Sequence, residues 1–316
     1  MGCCCPTMSN AASPDWGLDQ IVADLRASRE ERHRTRHPLG IRELPSRDAM
    51  ISIVEGLRAA MFPTHYGQSD LTDESVDYYV GHTLETTLKL LDEQIRRALR
   101  FVPENANETD DALRAHAREV ARAFAKQLPD IRALLVSDIQ AAFAGDPAAQ
   151  NITEILLCYP GILAMTHHRL AHALHRLGVP LLSRFVNEIA HSATGIDIHP
   201  GAQIGPSFFI DHGTGVVIGE TAVIGERVRV YQAVTLGAKS FAADVDGALV
   251  KGNARHPIVE DDVVIYAGAT ILGRVTIGRG SVIGGNVWLT HGVPPGSSVR
   301  QGKIRELERG EESTGK

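Results

Sequence analysis

Large aliphatic residues recur at intervals of six in the later part of this chain. The longest run consists of Val259, Ile265, Ile271, Ile277, Ile283 and Leu289. An α-helix repeats about every 3.6 residues and a β-strand about every 2, so neither explains this period. Short hexapeptide repeats are typical of a parallel β-helix, in which three units form one coil and stacked coils bury a continuous apolar column. The spacing therefore predicts a triangular solenoid.

The same unit occurs upstream, and a second small or β-branched position accompanies it downstream. The second positions are Val263, Ala269, Val275, Ser281 and Val287. The upstream units begin at Ile198, Ile204 and Ile210, and continue after a two-residue shift at Ile218, Ile224, Val230 and Leu236. The shift predicts an irregular corner between Asp211 and Val217. Two inward-facing positions in each hexapeptide describe one flat side of the solenoid.

The rest of the chain divides by pattern. We expect a disordered N-terminus over residues 1–14, a helical domain over 15–193, a left-handed β-helix over 194–292 and a charged tail over 293–316. Residues 15–193 show apolar residues at helical spacing with charges between them. The period of six is lost over 237–257, which predicts a loop that leaves the solenoid and returns. The predicted fold class is α+β, an N-terminal all-α domain followed by a left-handed parallel β-helix with an extruded loop.

Composition excludes some classes of function. The chain has 316 residues, a formal net charge of −6 and a sequence pI near 6.2, which argues against a nucleic-acid partner. No run of 18 apolar residues predicts a membrane span, and no apolar signal core is present, so we expect a cytoplasmic protein. Gly2 followed by Cys3, Cys4 and Cys5 suggests acylation. Pro6 stands where the myristoylation pattern requires Ser or Thr, so we expect no membrane anchor.

Three polar residues interrupt the apolar repeat at its start. Asp211 and His212 follow Asp197 by 14 and 15 positions within coils of 18 residues, so they are predicted to lie on the coil adjacent to it. Adjacent coils are about 4.8 Å apart. A carboxylate within reach of an imidazole fixes its tautomer and supports a general base. The alternative is a solvated corner histidine without a catalytic role.

Several segments of the repeat region closely resemble the serine acetyltransferases, over about half of the chain. The resemblance is carried by residues 194–202 (TGIDIHPGA), 210–224 (IDHGTGVVIGETAVI), 232–237 (QAVTLG), 255–257 (RHP) and 267–273 (AGATILG). The DHxTGxVxGETAxI pattern is far more specific than a hexapeptide repeat alone. The resemblance implies transfer of an acetyl group from acetyl-CoA to the hydroxyl of L-serine, the first step of cysteine biosynthesis.

The same resemblance implies roles for individual residues. His212 would take the serine proton and Asp197 would orient its imidazole. Asp146 and Asp211 match the acidic residues that hold the amino acid, and Arg255 and His256 match the basic pair of that pocket. A serine hydroxyl is a weak nucleophile that needs such a base. The planar guanidinium of an arginine suits the carboxylate of the amino acid. The alternative for Asp146 is a helix N-cap or a turn residue before Pro147, and the alternative for Arg255 is a solvated loop charge.

Acetyl-CoA is expected as the cosubstrate. In the family it lies in a groove between neighbouring solenoids of a homotrimer, so we expect a trimer or a dimer of trimers. Small residues that match this groove are Gly237, Ala238, Ala267 and Gly268. Candidates for the CoA phosphates, on charge alone, are Lys251, Arg274 and Arg279.

Regulation and partners also follow from the resemblance. L-cysteine differs from L-serine only in sulfur for oxygen, so it is expected to act as a feedback inhibitor in the same pocket. Family members that bind cysteine synthase do so through a C-terminal isoleucine, whereas this chain ends at Lys316. We therefore expect no stable cysteine synthase complex.

A hexapeptide solenoid also occurs in proteins of other function. Another O-acetyltransferase acting on a different small hydroxyl substrate is the main alternative, and a non-catalytic scaffold would not need the polar residues at the corner. The γ-type carbonic anhydrases need zinc-binding histidines five residues apart, and the solenoid histidines show no such pair. His168 and His172 stand one helical turn apart, but no carboxylate or cysteine accompanies them on that face. No metal site is expected.

Overall fold

The computed structural model describes residues 16–31, 43–105, 107–240, 247, 249–250 and 252–302. Contacts divide the chain into two units, Met1–Leu44 and Pro45–Lys316. The first unit contains helix α1, Leu18–Glu31. The predicted disordered segment 1–14 and most of the predicted tail lie outside the described residues, as does the triple cysteine.

The second unit begins with helices. Local signals in the sequence set their ends, since the side chains of Ser46, Thr109 and Asn151 each accept a hydrogen bond from a backbone N–H of the first turn. Gly195, at φ 69°, ends the last helix and turns the chain into the first strand. The helices are α2 Arg47–Met61, α3 Pro63–Tyr66, α4 Val76–Leu99, α5 Asp110–Gly145, α6 Ile152–Cys158, α7 Pro160–Arg176 and α8 Pro180–Thr194, with a 3-10 turn at Pro103–Asn105.

Short parallel strands follow and form three sheets. The strands are β1 Asp197–Ile198, β2 Gln203–Ile204, β3 Phe209–Ile210, β4 Val217–Ile218, β5 Val223–Ile224, β6 Arg229–Val230, β7 Thr235–Gly237, β8 Ile258–Val259, β9 Val264–Ile265, β10 Thr270–Leu272, β11 Thr276–Ile277, β12 Val282–Ile283, β13 Trp288–Leu289 and β14 Ser298–Val299. Sheet A has the order β1-β4-β7-β10-β13, sheet B β11-β8-β5-β2 and sheet C β14-β12-β9-β6-β3. Each sheet takes every third strand, which is the left-handed parallel β-helix that the repeat predicts.

The six-residue spacing marks the buried column of this β-helix. Ile198 pairs with Ile218, and Leu236 pairs with Ile271 across the extruded loop, so successive coils remain in register. Ile218, Leu236 and Ile271 are at most 1% exposed. The pairing of Ile198 with Ile218 also shows that the first coil is two residues longer than the usual 18, as the shift predicts. The extra residues lie between β3 and β4.

A buried ion pair joins the helices to the first coil. Asp138 on α5 is completely buried, and its carboxylate accepts hydrogen bonds from Nε and Nη2 of Arg169 on α7, at 2.6 and 2.8 Å. The same carboxylate accepts from the backbone N–H of Phe208 at 2.9 Å. Arg169 also donates to the carbonyl oxygens of Ile204 and Gly205. Helices α5 and α7 and the first coil therefore share one polar junction, and α2 to α8 form one compact unit with the β-helix.

No helix within the described part of the chain combines the length and the apolar character that a membrane crossing requires. Among the described residues, the thiol of Cys158 is free and exposed.

Candidate active site

The lengthened corner between β3 and β4 carries Asp211 and His212. We call residues 211–216 the histidine corner. The His212 side chain is 73% exposed, and its Nε2 lies 3.9 Å from Oδ1 of Asp211. Within the described chain, Asp211 supplies the one carboxylate at ion-pair distance from this imidazole. An accessible imidazole beside a carboxylate is competent to accept a proton from a small hydroxyl.

The backbone of His212 has a positive φ of 58°. The corner residues Ala233 and Asn286 in later coils have the same conformation, at 58° and 54°. This geometry is thus a general property of the corner rather than strain peculiar to a catalytic residue. Gly213 and Gly215 also have positive φ values, which lets the longer corner close without side-chain clashes.

Asp146 lies at the carboxyl end of α5, close to the histidine corner. Its Oδ1 accepts a hydrogen bond from the backbone N–H of Ala148 at 2.8 Å, and its Oδ2 accepts one from the Tyr159 hydroxyl at 2.6 Å. The Tyr159 hydroxyl, the Ala148 N–H and the positive charge of Arg229 lower the pKa of the Asp146 carboxyl. The same hydrogen bond raises the pKa of Tyr159 to about 12. Asp146 therefore has the turn geometry expected before Pro147 and also presents an ionised carboxylate.

Arg229 on β6 connects Asp211 to the end of α5. Its Nη2 donates to Oδ2 of Asp211 at 2.7 Å, and its Nη1 donates to the carbonyl oxygen of Gly145 at 2.7 Å. Gly145 immediately precedes Asp146. No pattern in the sequence distinguishes this arginine from other outward-facing residues of the repeat, so sequence reasoning missed both Arg229 and Tyr159.

Arg255 and His256 lie at a different corner, between sheets A and B. Together with residues 219–221 they form what we call the arginine corner. Nη2 of Arg255 donates to Oε2 of Glu220 at 2.7 Å, and the Thr221 hydroxyl accepts from the backbone N–H groups of both Arg255 and His256. The Thr221 N–H donates to Nδ1 of His256, so the neutral ring carries its proton on Nε2. Burial lowers the pKa of His256.

Close backbone packing supports the arginine corner. A Cβ atom on Gly219 would lie 2.0 Å from Cδ2 of His256, so this ring packs in space that only a glycine leaves. Nη1 of Arg274 donates to the carbonyl oxygens of Thr221 and His256, at 2.6 and 3.0 Å. Arg279 donates to Oδ2 of Asp261 at 2.5 Å. Arg274 and Arg279, two of the candidates for the CoA phosphates, thus each have a structural partner. The third candidate, Lys251, lies outside the described residues.

Asp197 begins β1, and its side chain faces outward from sheet A. Its Oδ1 accepts a hydrogen bond from Nδ2 of Asn187 on α8 at 3.1 Å. The structure does not bring the Asp197 carboxylate into ion-pair contact with His212. The catalytic role of Asp197 stays a prediction, while its contact with α8 is the arrangement observed.

The small residues expected to line a CoA groove also divide between two corners. Gly237 ends β7 and Ala238 follows it, at the end of sheet A that meets sheet B. Ala267 and Gly268 lie between β9 and β10, where sheet C meets sheet A, on the same side as the histidine corner. A Cβ atom on Gly268 would lie 2.2 Å from Oδ1 of Asn286 in the next coil. These four residues are half-buried, and their role in binding a pantetheine arm stays a prediction.

The candidate residues thus form two groups at opposite ends of sheet A. Asp211 and His212 belong to the histidine corner, with Asp146 beside it, and Arg255 and His256 belong to the arginine corner. The structure brings the members of each group together. Within a single chain, however, the two groups lie apart, at the two ends of the strands of sheet A.

The helical histidines have other contacts. His168 is buried, and Nδ1 of His172 lies 2.8 Å from the carbonyl oxygen of Pro200. Burial lowers the pKa of both imidazoles. In the part of the chain that the structure describes, no three His, Cys, Asp or Glu side chains are grouped so that they could hold a metal ion.

Two family models match parts of this chain. Residues 256–291 match the family model described as bacterial transferase hexapeptide (six repeats), and residues 79–167 match that described as serine acetyltransferase, N-terminal. A plasmid serine acetyltransferase of Synechococcus elongatus is 60% identical over 295 residues, which cover 92% of each chain. Solved structures of the same kind include Entamoeba histolytica serine acetyltransferase 1 in complex with L-cysteine. It is 37% identical, with a TM-score of 0.69 over 79% of this chain and 86% of that chain.

A second solved relative is the Neisseria gonorrhoeae serine acetyltransferase in complex with serine. It is 28% identical, with a TM-score of 0.52 over 80% of this chain and 95% of that chain. The hexapeptide β-helix with a histidine and carboxylates at its first long corner defines an acyltransferase of the hexapeptide-repeat class. Within that class, the chain belongs to the serine acetyltransferase family.

Proposed function

We propose that this protein transfers the acetyl group of acetyl-CoA to the hydroxyl of L-serine, giving O-acetyl-L-serine and CoA. The observation that carries this function is the histidine corner, where an accessible imidazole lies beside the Asp211 carboxylate and near Asp146. Two carboxylates suit the substrate ammonium, and the accessible imidazole suits its hydroxyl. Family membership supports serine as the acceptor, since relatives in solved structures bind serine.

The chemistry follows from the positions of these groups. His212 accepts the hydroxyl proton as the serine oxygen attacks the thioester carbonyl that acetyl-CoA supplies. The carbon–sulfur bond then breaks, and the proton held by His212 is available to the departing thiolate. In this proposal Asp211 and Asp146 hold the substrate ammonium while Arg255 and His256 hold its carboxylate.

The division of the site between two corners supports a homotrimer or a dimer of trimers. In such an assembly the histidine corner of one copy would face the arginine corner of a second copy. The groove between them would then contain Ala267 and Gly268 from the first copy and Gly237 and Ala238 from the second. Acetyl-CoA is proposed to bind along this groove.

L-cysteine is proposed to inhibit by occupying the serine pocket. It carries the same ammonium and carboxylate as serine, and Entamoeba relatives have been solved in complex with cysteine. The expected absence of a cysteine synthase complex depends on the segment that ends at Lys316, which lies outside the described residues. That expectation and the cytoplasmic location stay predictions.

A thiol-release assay with acetyl-CoA tests the proposed function. The acceptors compared are L-serine, L-homoserine, a sugar and chloramphenicol, each in the presence and absence of L-cysteine. We expect CoA release with L-serine to exceed that with the other acceptors and to be competitively inhibited by L-cysteine. Preferred turnover of another acceptor would assign the protein to a different O-acetyltransferase activity.

Replacing Arg255 with alanine is expected to weaken serine binding. The change removes a charge-assisted hydrogen bond to the substrate carboxylate, worth about 1.5–3 kcal/mol, or roughly 10- to 150-fold in affinity. Steady-state kinetics with each substrate varied should show a raised KM for serine and an unchanged KM for acetyl-CoA. Arg255→Lys keeps the charge without the planar fork, so its KM for serine should lie between those of the wild type and Arg255→Ala. A raised KM for acetyl-CoA alone would show that Arg255 contacts the other substrate.

Replacing Tyr159 with phenylalanine is expected to move the loss of L-cysteine binding at low pH to a higher pH. The hydrogen bond from the Tyr159 hydroxyl is the largest cause of the lowered pKa of Asp146, so its removal raises that pKa. The carboxylate that binds the ammonium is then protonated at a higher pH, and binding is lost there. The dissociation constant of L-cysteine, measured against pH, reports this shift without the catalytic step that needs His212 as a base. Tyr66→Phe is the control, since that hydroxyl donates to the Leu156 carbonyl oxygen, and an unmoved binding profile in Tyr159→Phe would contradict the role of Asp146.

A further inference from the structure

Arg229 contacts both the histidine corner and the end of α5 that carries Asp146. One end of its guanidinium holds Oδ2 of Asp211, and the other end holds the carbonyl oxygen at the last residue of α5, next to Asp146. Asp211 thereby uses Oδ2 for Arg229 and keeps Oδ1 directed toward His212. A bidentate fork can make these two contacts at once, whereas an ammonium group keeps the charge but can make only one of them in the same geometry.

The surroundings of Arg229 hold its guanidinium in this position. The Cζ atom lies 5.0 Å from the ring centroid of Phe209 and 4.7 Å from that of Tyr231, so the guanidinium contacts both aromatic rings. Tyr231 in turn stacks on Tyr266 of the next coil, with ring centroids 5.0 Å apart. The Arg229 side chain is 25% exposed and that of Asp211 is 13% exposed. Such packing fixes the direction of both hydrogen bonds.

The charges of Asp146, Asp211 and Arg229 also determine which ligand fits. Asp146 and Asp211 contribute two negative charges, and Arg229 contributes one positive charge, so together they carry a single negative charge. One ammonium group neutralises that charge. Without Arg229 the two carboxylates would repel each other, and the free site would no longer hold Asp211 in one orientation.

We propose that Arg229 is a positioning residue for amino-acid binding, which holds the Asp211 carboxylate toward His212 and links it to the end of α5 that presents Asp146. This inference rests on the proposed function of the histidine corner. It assigns Arg229 to the amino-acid half of the reaction, acting through Asp211 and Asp146 without touching the substrate itself.

The test compares Arg229→Gln, Arg229→Lys and the wild-type full-length protein. For Arg229→Gln we expect KM for L-serine and the dissociation constant for L-cysteine each to rise about 10- to 100-fold, since a charge-assisted hydrogen bond is lost. KM for acetyl-CoA should stay within about twofold of the wild type, because that substrate does not depend on Asp211. Arg229→Lys retains the positive charge and should recover part of both losses.

Arg227→Gln is the matched control. Arg227 lies two residues earlier, is exposed, and pairs with Glu226 and Asp262 at the corner between sheets B and C. Its replacement should leave both KM values and cysteine binding unchanged. Unfolding midpoints of all variants are measured at one protein concentration, so that a general loss of structure is recognised.

Three results would overturn the inference. The first is an Arg229→Gln variant whose serine KM and cysteine affinity both stay within twofold of wild type. The second is an equal rise in the KM for serine and for acetyl-CoA together with a lowered unfolding midpoint, which would indicate a structural role. The third is an Arg229→Lys variant no better than Arg229→Gln. Failure of the proposed function would be recognised separately, since the wild type itself would then release no CoA with L-serine.

Discussion

Replacing His212 with alanine should lower kcat for serine acetylation by about 10²- to 10⁴-fold, the usual contribution of a positioned general base. Its imidazole is accessible and lies 3.9 Å from the Asp211 carboxylate, so it is placed to take the proton that serine loses. The thiol-release assay at saturating substrate measures the loss. Binding of L-cysteine should fall far less than turnover does, because the carboxylates remain.

His291→Ala controls for this substitution. His291 is an exposed histidine of a later coil, far along the chain from the histidine corner. Its replacement should leave kcat unchanged, and size-exclusion chromatography should show the same assembly for both variants. A His212→Ala protein with near-normal turnover would remove His212 from the chemistry.

Replacing Asp138 with alanine should destabilise the fold by about 3–5 kcal/mol, since it leaves the buried Arg169 cation without its carboxylate. The Arg169 side chain is only 4% exposed and cannot reach water without disturbing the junction between α7 and the first coil. The backbone N–H of Phe208 loses its acceptor as well. Urea unfolding at a fixed protein concentration measures the change, through a lowered midpoint.

A surface pair provides the comparison for Asp138. Asp262 pairs with Arg227 in the open, with side chains 42% and 50% exposed, so Asp262→Ala should cost at most about 1 kcal/mol. Replacing Asp138 and Arg169 together by leucine should recover part of the loss, because no buried charge is then left unpaired. Equal midpoints for Asp138→Ala and Asp262→Ala would show that the buried pair is not a support of the junction.

The fold was predictable from the sequence because the period of a β-helix is local. Each hexapeptide supplies its own inward residue, so the run from Val259 to Leu289 specifies strands and corners without knowledge of distant contacts. The two-residue shift before Val217 predicts the long corner for the same reason, and the pairing of Ile198 with Ile218 confirms it. Loss of the period after Leu236 likewise indicates the extruded loop.

The candidate site was predictable only where a sequence motif encodes it. Asp211 and His212 occur in one short segment, and their proximity follows from chain connectivity. The contacts of Arg229 with Gly145 and of Tyr159 with Asp146 depend on how α5, α6 and α7 pack against one another and against the first two coils. No local pattern records that packing. The contact of Asp197 with Asn187 on α8 depends on the same kind of packing, and the role of Asp197 beside the imidazole stays a prediction.

The placement of two half-sites at opposite ends of sheet A has a genetic consequence. In the proposed trimer, each reaction centre combines the histidine corner of one copy with the arginine corner of a second. A subunit that lacks His212 and a subunit that lacks Arg255 would then assemble, at one of their contacts, a centre with both residues intact. Two inactive alleles of this kind would complement each other, whereas two alleles damaged at the same corner would not.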